Sequence, residues 1–183
     1  TAAAGYVPFG RRSNRLSGHS HGVFSPPAFE RLRHCLTTHL GKAAGGAWPE
    51  KIFIRRASGP RMLANSAEIE RLMVASGYAI IQPETLSFMQ QVRLFANAMI
   101  VVSPTGAALA NAIFCQPGTQ VGVFMAKHEE MIYRYWCDML TPLQIGVSYV
   151  LGNLVEVSKL GIHGNFTAAR ADVADLLEAL EQR

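Results

Sequence analysis

A chain of 183 residues is long enough for one domain with a sizeable core, and 49% of its residues are hydrophobic while only 16% are charged. This composition excludes an intrinsically disordered protein. The formal net charge of +4 is modest and no run of five basic residues occurs, which argues against a nucleic-acid-binding protein and suits an anionic small ligand.

The three cysteines, Cys35, Cys115 and Cys137, are odd in number and form no Cys-x-x-Cys pair. A disulfide framework or a zinc site is therefore not expected, and a reducing, cytoplasmic compartment fits better. No stretch of 18 apolar residues is present, so we expect no membrane span. The first ten residues lack the charged-then-apolar pattern of a signal peptide. Because the chain opens without methionine, we expect it to be part of a longer protein.

Residues 1–24 are rich in Gly, Ser, Arg and His, and this composition predicts a linker or an irregular arm. His19 and His21 in this arm have no Cys or carboxylate at ligand spacing, so no metal site is predicted there. Ser25 followed by two prolines predicts a helix start, since Ser caps helices and Pro is tolerated in the first turn. The apolar stripe of this helix comprises Phe29, Leu32, Leu36 and Leu40, and Gly41 ends it.

From residue 51 onward, short apolar runs alternate with amphipathic segments. The runs predict strands at 51–54, 78–82, 99–102, 121–125 and 148–151, the last at an edge. Helices are predicted to begin at Asn65 and Ser87 and to cover 106–113, 129–139 and 169–181. This alternation predicts an α/β domain over residues 25–183, with a doubly wound, mainly parallel, Rossmann-like sheet of about five strands. Ligands of such sheets bind at the carboxyl ends of the strands.

The loop after the first of these strands contains three arginines within seven residues, Arg55, Arg56 and Arg61, with Asn65 at its exit. The planar fork of a guanidinium matches phosphate oxygens. The sequence therefore predicts a phosphate-binding loop here. The alternative is that these arginines are solvated or pair with carboxylates elsewhere.

The loop after the third strand carries small residues directly into a helix. Thr105, Gly106 and Ala107 are predicted to approach an anion closely, with Asn111 further along the helix. The motif is neither a Walker loop nor a dinucleotide fingerprint, and an ordinary strand-to-helix turn is the alternative.

Lys127 and His128 follow the fourth strand, where they could contact a ribose or a base or simply form a solvated helix start. No Ser-His-Asp or Cys-His arrangement can be drawn from the spacing, so the catalytic residue is unknown. No Asp-x-Asp occurs, which fits metal-independent chemistry without a cofactor. Asn165-Phe166-Thr167 matches a glycosylation sequon, but nothing indicates secretion.

An ordered set of motifs resembles the C-terminal half of glycosyltransferase family 61, which includes capsular-polysaccharide enzymes. The resemblance covers about four-fifths of the chain. Its pieces are 22–26, 54–56, Arg61, Asn65, 86–88, 91–95, 98–102, 104–111 and 117–119.

This resemblance implies a GT-B-type architecture, in which two Rossmann-like halves enclose a donor cleft and this chain is the nucleotide-sugar half. It implies that Arg55 and Arg61 hold the diphosphate, that Asn65 lies nearby and that the loop 105–107 closes on the donor. Two positions depart from the family pattern, which usually has His at Thr105 and Glu at Val123. The implied location is the cytoplasm, or the periphery of the inner membrane.

The resulting functional hypothesis is a glycosyltransferase that moves a sugar from a nucleotide-diphosphate sugar to a glycan or polysaccharide, in concert with an N-terminal half of the same protein. A non-catalytic nucleotide- or glycan-binding relative and an enzyme resembling a sugar-nucleotide epimerase are the alternatives.

Overall fold

The chain forms an α/β fold around a six-stranded sheet, seen in a computed structural model that describes residues 6–7, 23–38, 48–129, 131, 133–155 and 163–182. A two-stranded antiparallel ribbon of β1 (Tyr6–Val7) and β2 (Val23–Phe24) precedes the sheet. The strands of the main sheet are β3 (Lys51–Ile54), β4 (Ala79–Ile81), β5 (Ile100–Pro104), β6 (Gln120–Ala126), β7 (Gly146–Leu154) and β8 (Phe166–Thr167). Their spatial order is β4-β3-β5-β6-β7-β8.

Five of these strands, β4 to β7 in spatial order, are parallel, and only β8 pairs antiparallel with its neighbour. The helices are α1 (Pro26–Thr38), α2 (Ser66–Ala75), α3 (Phe88–Asn97), α4 (Arg134–Leu140) and α5 (Arg170–Glu181). Short 3-10 helices cover Pro83–Thr85, Ala107–Phe114 and Thr141–Leu143. The predicted α/β class and the mainly parallel sheet are thus confirmed.

Helices cover both faces of the sheet, and each face has its own core. Alternation along β3 shows the division, because Ile52 and Ile54 belong to one core and Phe53 to the other. The first core is completed by α1, α3 and α4, and the second by α2 and α5. A central parallel strand buried on both faces needs apolar residues at its buried positions, which explains the apolar run 52–54 that follows the partly exposed Lys51 in β3.

Two helix starts illustrate how local sequence sets the boundaries. At α3, Ser87 accepts a hydrogen bond from the Gln90 N–H, and the Gln90 side chain accepts one from the Ser87 N–H, which is a complete capping box. At α2, Asn65 occupies the cap position as predicted but its side chain makes no capping hydrogen bond. The Asn65 amide instead binds both backbone groups of Ala168, at 2.8 and 3.2 Å.

Three predicted elements need correction. The helix predicted for 129–139 begins only at Arg134, because the Tyr133 hydroxyl binds the backbone of His128 and fastens that segment as a turn. The helix predicted for 106–113 is a 3-10 helix over Ala107–Phe114. The strand predicted for 148–151 is nine residues long, and its end pairs with β8 rather than forming a free edge.

The strand order determines where a ligand can enter. Within the main sheet the chain runs from β3 to β4 on one side, crosses back over β3 to β5, and continues outward through β6 on the other side. The connection after β3 and the connection after β5 therefore leave the sheet in opposite directions, and no common crossover covers the two loops. A crevice at such a reversal of strand order, at the carboxyl ends of the strands, is the usual ligand site of a doubly wound sheet.

Candidate functional site

Arg56 joins the two loops at the reversal point. Arg56 is the second residue after β3, and Thr105 is the first residue after β5. The Arg56 Nη1 donates a hydrogen bond of 3.2 Å to the backbone carbonyl of Thr105. The guanidinium also lies directly against Gly106, where a Cβ atom would be only 2.1 Å from Nη1. The Arg56 Nε is buried and has no hydrogen-bond partner among the described residues. Its bonding capacity is therefore only partly used by the protein.

Arg61 is the second cation of this region that lacks an anionic partner. Its Nε is also buried without a hydrogen-bond partner within the described ranges. Burial lowers the pKa of Arg61, and the positive charge of Arg56 lowers it further. The backbone of Arg61 is left-handed, with φ of 66°, and its N–H donates to the carbonyl of His163 at 3.1 Å. Two neighbouring arginines that have no carboxylate partner among the described residues leave a positive potential at this edge of the sheet.

Arg55 behaves differently, because it forms a bidentate ion pair with Glu70 of α2. Its Nε donates to Oε1 at 2.8 Å and its Nη2 contacts Oε2. The hydrogen bond to Glu70 raises the pKa of Arg55, with the opposite charge adding to the effect. Glu70 is the more buried partner, with 15% of its side chain exposed against 38% for Arg55. For Arg55 the alternative interpretation of the arginine loop therefore holds, since it pairs with a carboxylate. Its positive charge is already neutralised by Glu70.

An open pocket of about 420 Å³ lies beside these arginines. Arg55, Arg56 and Glu70 line it, together with Ser66 at the start of α2 and Asn165. Arg61 does not line this pocket. The amino terminus of a helix favours negative charge through its unpaired N–H groups, so the α2 end adds to the positive potential of Arg56.

Thr105 is held rigidly at the other side of Arg56. It is only 4% exposed, and its hydroxyl accepts a hydrogen bond of 3.0 Å from the indole N–H of Trp136 in α4. Its backbone N–H donates to the carbonyl of Phe124 in β6 at 2.9 Å. Gly106 next to it has an extended backbone, with φ of 175°, and leads into the 3-10 helix.

The comparison with known protein families points to one family. The model described as Glycosyltransferase 61 matches residues 11–122, well over half of the chain. The chain belongs to the glycosyltransferase 61 family. It is therefore a glycosyltransferase, with a sugar donor and an acceptor as substrates. No curated protein matches this chain.

The match to glycosyltransferase 61 contains the loop after β3 and the loop after β5, and hence Arg56, Arg61 and Thr105. Two further predicted site residues of this glycosyltransferase have side chains that form hydrogen bonds within the chain. The Asn65 side chain binds Ala168, and the Asn111 side chain donates to Gln91 of α3 at 2.7 Å. Ala107 is exposed at the start of its 3-10 helix.

Lys127 and His128 lie at the carboxyl end of β6, next to β5 in the sheet. Lys127 is exposed and His128 is half-buried. The backbone of His128 is bound by Tyr133, and that of Lys127 donates to Gly152. A contact of either side chain with a ribose or a base stays a prediction.

Three residues that contact or line the candidate site were missed by the sequence reasoning, namely Glu70, Trp136 and Asn165. Glu70 is 15 positions beyond its partner Arg55, on the side of α2 that turns back to β3. Asn165 had been noted only as part of a sequon, yet its side chain accepts a hydrogen bond of 3.0 Å from the Met62 N–H. Trp136 and Asn165 also lie outside the residues matched by the family.

The described part of this glycosyltransferase contains neither a membrane-spanning helix nor a cluster of metal ligands. None of the described helices, the longest of which has 13 residues, is suited to crossing a bilayer. Within the described ranges, no three His, Cys, Asp or Glu side chains converge as metal ligands. The three cysteines are free thiols.

Proposed function

We propose that this glycosyltransferase uses a nucleotide-diphosphate sugar and binds its diphosphate beside Arg56, between the loops after β3 and β5. The observation that carries the proposal is the pair of buried guanidinium nitrogens, Arg56 Nε and Arg61 Nε, that lack partners among the described residues. A buried N–H that is left unpaired costs free energy, so a movement of either side chain that presents its guanidinium to a phosphate gains that free energy on binding.

Charge balance supports a doubly anionic ligand. Arg55 is neutralised by Glu70, whereas no carboxylate of the described chain pairs with Arg56 or Arg61. Two uncompensated cations match the two negative charges of a diphosphodiester. Arginine also offers parallel donors, which a phosphate group can accept in a bidentate arrangement.

The same arrangement suits the chemistry of sugar transfer. As the bond between the sugar and the diphosphate breaks, negative charge develops on the departing phosphate oxygen. Fixed positive groups that already face this oxygen stabilise the transition state more than the ground state. We propose that Arg56 and Arg61 supply this stabilisation in a metal-independent reaction.

The acceptor hydroxyl must also lose a proton during transfer. The Thr105 hydroxyl is unsuited to accept it, because an alcohol is not a base near neutral pH. We propose that the base and the acceptor site belong to another half of a GT-B-type protein, which closes on this donor half. A glycan or polysaccharide is the proposed acceptor and the cytoplasm the proposed compartment.

The test is a thermal-shift screen of nucleoside diphosphates and their sugars on the chain and on Arg56→Ala and Arg61→Ala. A ligand at a hundred times its dissociation constant stabilises the folded state by about 2.7 kcal/mol. We expect this stabilisation for the unmodified chain and its loss in Arg56→Ala, with a smaller loss in Arg61→Ala.

Arg71→Ala is the matched control, because Arg71 is an exposed arginine of α2 and does not line the pocket beside Arg56. This variant should retain the full shift. If no diphosphate ligand stabilises the unmodified chain, or if Arg71→Ala loses as much as Arg56→Ala, the proposed donor site is wrong.

A further inference from the structure

Three polar groups of Thr105 form hydrogen bonds, and only the direction of its hydroxyl proton is left undetermined. Its N–H donates to Phe124, its carbonyl accepts from Arg56, and its hydroxyl oxygen accepts from Trp136 Nε1 at 3.0 Å. The described residues provide no acceptor for the hydroxyl proton. The position of the oxygen is therefore fixed, and its proton remains available to a ligand.

Trp136 is suited to impose this orientation because an indole N–H can only donate. Its side chain is 4% exposed and belongs to the core formed with α1 and α3. The ring of Tyr135 packs edge-to-face on it at 4.9 Å, and Phe24 of β2 packs edge-to-face on Tyr135 at 5.3 Å. The indole is thus packed among other rings and cannot swing away without disturbing α4.

The Arg56 guanidinium contacts the residue that carries this hydroxyl, since Arg56 Nη1 donates to the Thr105 carbonyl. An anion held between Arg56 and the Thr105 loop can accept from both groups. We propose that Trp136 is a positioning residue, which holds the Thr105 hydroxyl so that its proton is donated to the phosphate bound by Arg56. This inference rests on the proposed function, because it assigns a second donor to the same diphosphate.

The test is a double-mutant cycle of Trp136→Phe and Thr105→Val, with binding of inorganic pyrophosphate and of each nucleoside diphosphate measured by calorimetry. Phe keeps most of the ring volume and removes the N–H, and Val keeps the branched shape and removes the hydroxyl. Each single change should weaken binding about tenfold, the size of one hydrogen bond to a charged group. The double variant should bind no more weakly than Thr105→Val, because Trp136 acts through the hydroxyl.

Two further variants separate positioning from a structural role. Thr105→Ser keeps the hydroxyl and should bind within about threefold of the unmodified chain, as long as Trp136 is present. Trp48→Phe makes the same change at the other tryptophan, which is half-buried against the same core. The hydrogen bond to the Thr105 hydroxyl comes from Trp136, so this variant should leave affinity unchanged.

The outcomes are distinct for the two proposals. If the unmodified chain binds a diphosphate and Arg56→Ala does not, yet Trp136→Phe binds as well as the unmodified chain, the positioning role is overturned and the donor site stands. The role is also overturned if the two single effects add fully in the double variant, or if Trp136→Phe lowers only the melting temperature. A chain that binds no diphosphate overturns both.

Discussion

At Gly106 the backbone and the Arg56 guanidinium approach each other closely. Its φ of 175° is extended and can be adopted by any residue, so conformational freedom is not the reason for a glycine here. The reason is space, because a Cβ atom would lie 2.1 Å from Arg56 Nη1. The absent side chain is what allows Arg56 to rest on this loop.

We predict that Gly106→Ala weakens diphosphate binding at least tenfold while changing the melting temperature little. The methyl group must displace the end of the Arg56 side chain, which is flexible and moves at little cost in folding stability. Gly146→Ala is the matched control, because its Cβ would lie 2.1 Å from Gln120 Oε1, the end of another flexible side chain, at the start of β7. Equal loss of binding in both variants, by titration calorimetry, would contradict the role of Arg56.

Tyr78 carries a buried hydroxyl that serves no hydrogen bond among the described residues. The residue is 3% exposed, and Lys51 Nζ lies 5.7 Å from the centre of its ring. Burial raises the pKa of Tyr78 above its ordinary value of 10.0, and the negative charge of Glu181 raises it further. The folded protein therefore holds the phenol in its neutral form.

We predict that Tyr78→Phe increases the free energy of unfolding by about 1 kcal/mol at neutral pH, because it removes an unpaired polar atom. The folded pKa lies above the unfolded one, so the stability held by the neutral phenol is complete below pH 10.0 and is lost as the pH rises beyond it. The variant should lose less stability in urea titrations above that pH. Tyr149→Phe should instead be destabilising, since the Tyr149 hydroxyl contacts Cys137 and the Tyr133 carbonyl.

At the scale of elements, the capping box of α3 is the clearest case in which local sequence determines a boundary. We predict that Ser87→Ala lowers the free energy of unfolding by about 1 kcal/mol, because the Gln90 N–H loses its acceptor. Chemical denaturation measures the change, and Ser76→Ala at the end of α2 is the control. Ser76 makes no side-chain capping contact, so a similar loss there would refute the capping explanation.

The strands were predictable because buried parallel strands leave an unambiguous apolar run, as at residues 52–54 of β3. Most helix starts were also predictable, with a complete side-chain cap at Ser87 and without one at Asn65 and Ala169. At α4 the decisive contact is a hydrogen bond from His128 to the hydroxyl of Tyr133, which no periodicity reveals. The local sequence correctly predicts that Asn65 precedes a helix, but it does not reveal the partner of the Asn65 side chain. That partner, Ala168, lies 103 positions later.

At the scale of the whole molecule, the sequence placed the arginine loop and the Thr105 loop at one edge of the sheet, because both follow parallel strands. It did not reveal which arginine would be neutralised. That outcome depends on how α2 is rotated against β3, which brings Glu70 to Arg55 and leaves Arg56 to Thr105. The strand order, and with it the reversal point between β3 and β5, also follows from packing rather than from the alternation of elements.

The chain also ties its Arg61 loop to a segment about a hundred positions further along. Residues 61–65 and 163–168 exchange hydrogen bonds at Arg61, Met62, Ala64 and Asn65, and the second segment leads directly into α5. Whatever orders one segment must therefore help to order the other, and the coupling free energy is the same in both directions. An anion bound at Arg61 would thus stabilise the packing of α5, and a substitution that destabilises α5 would weaken binding of the anion.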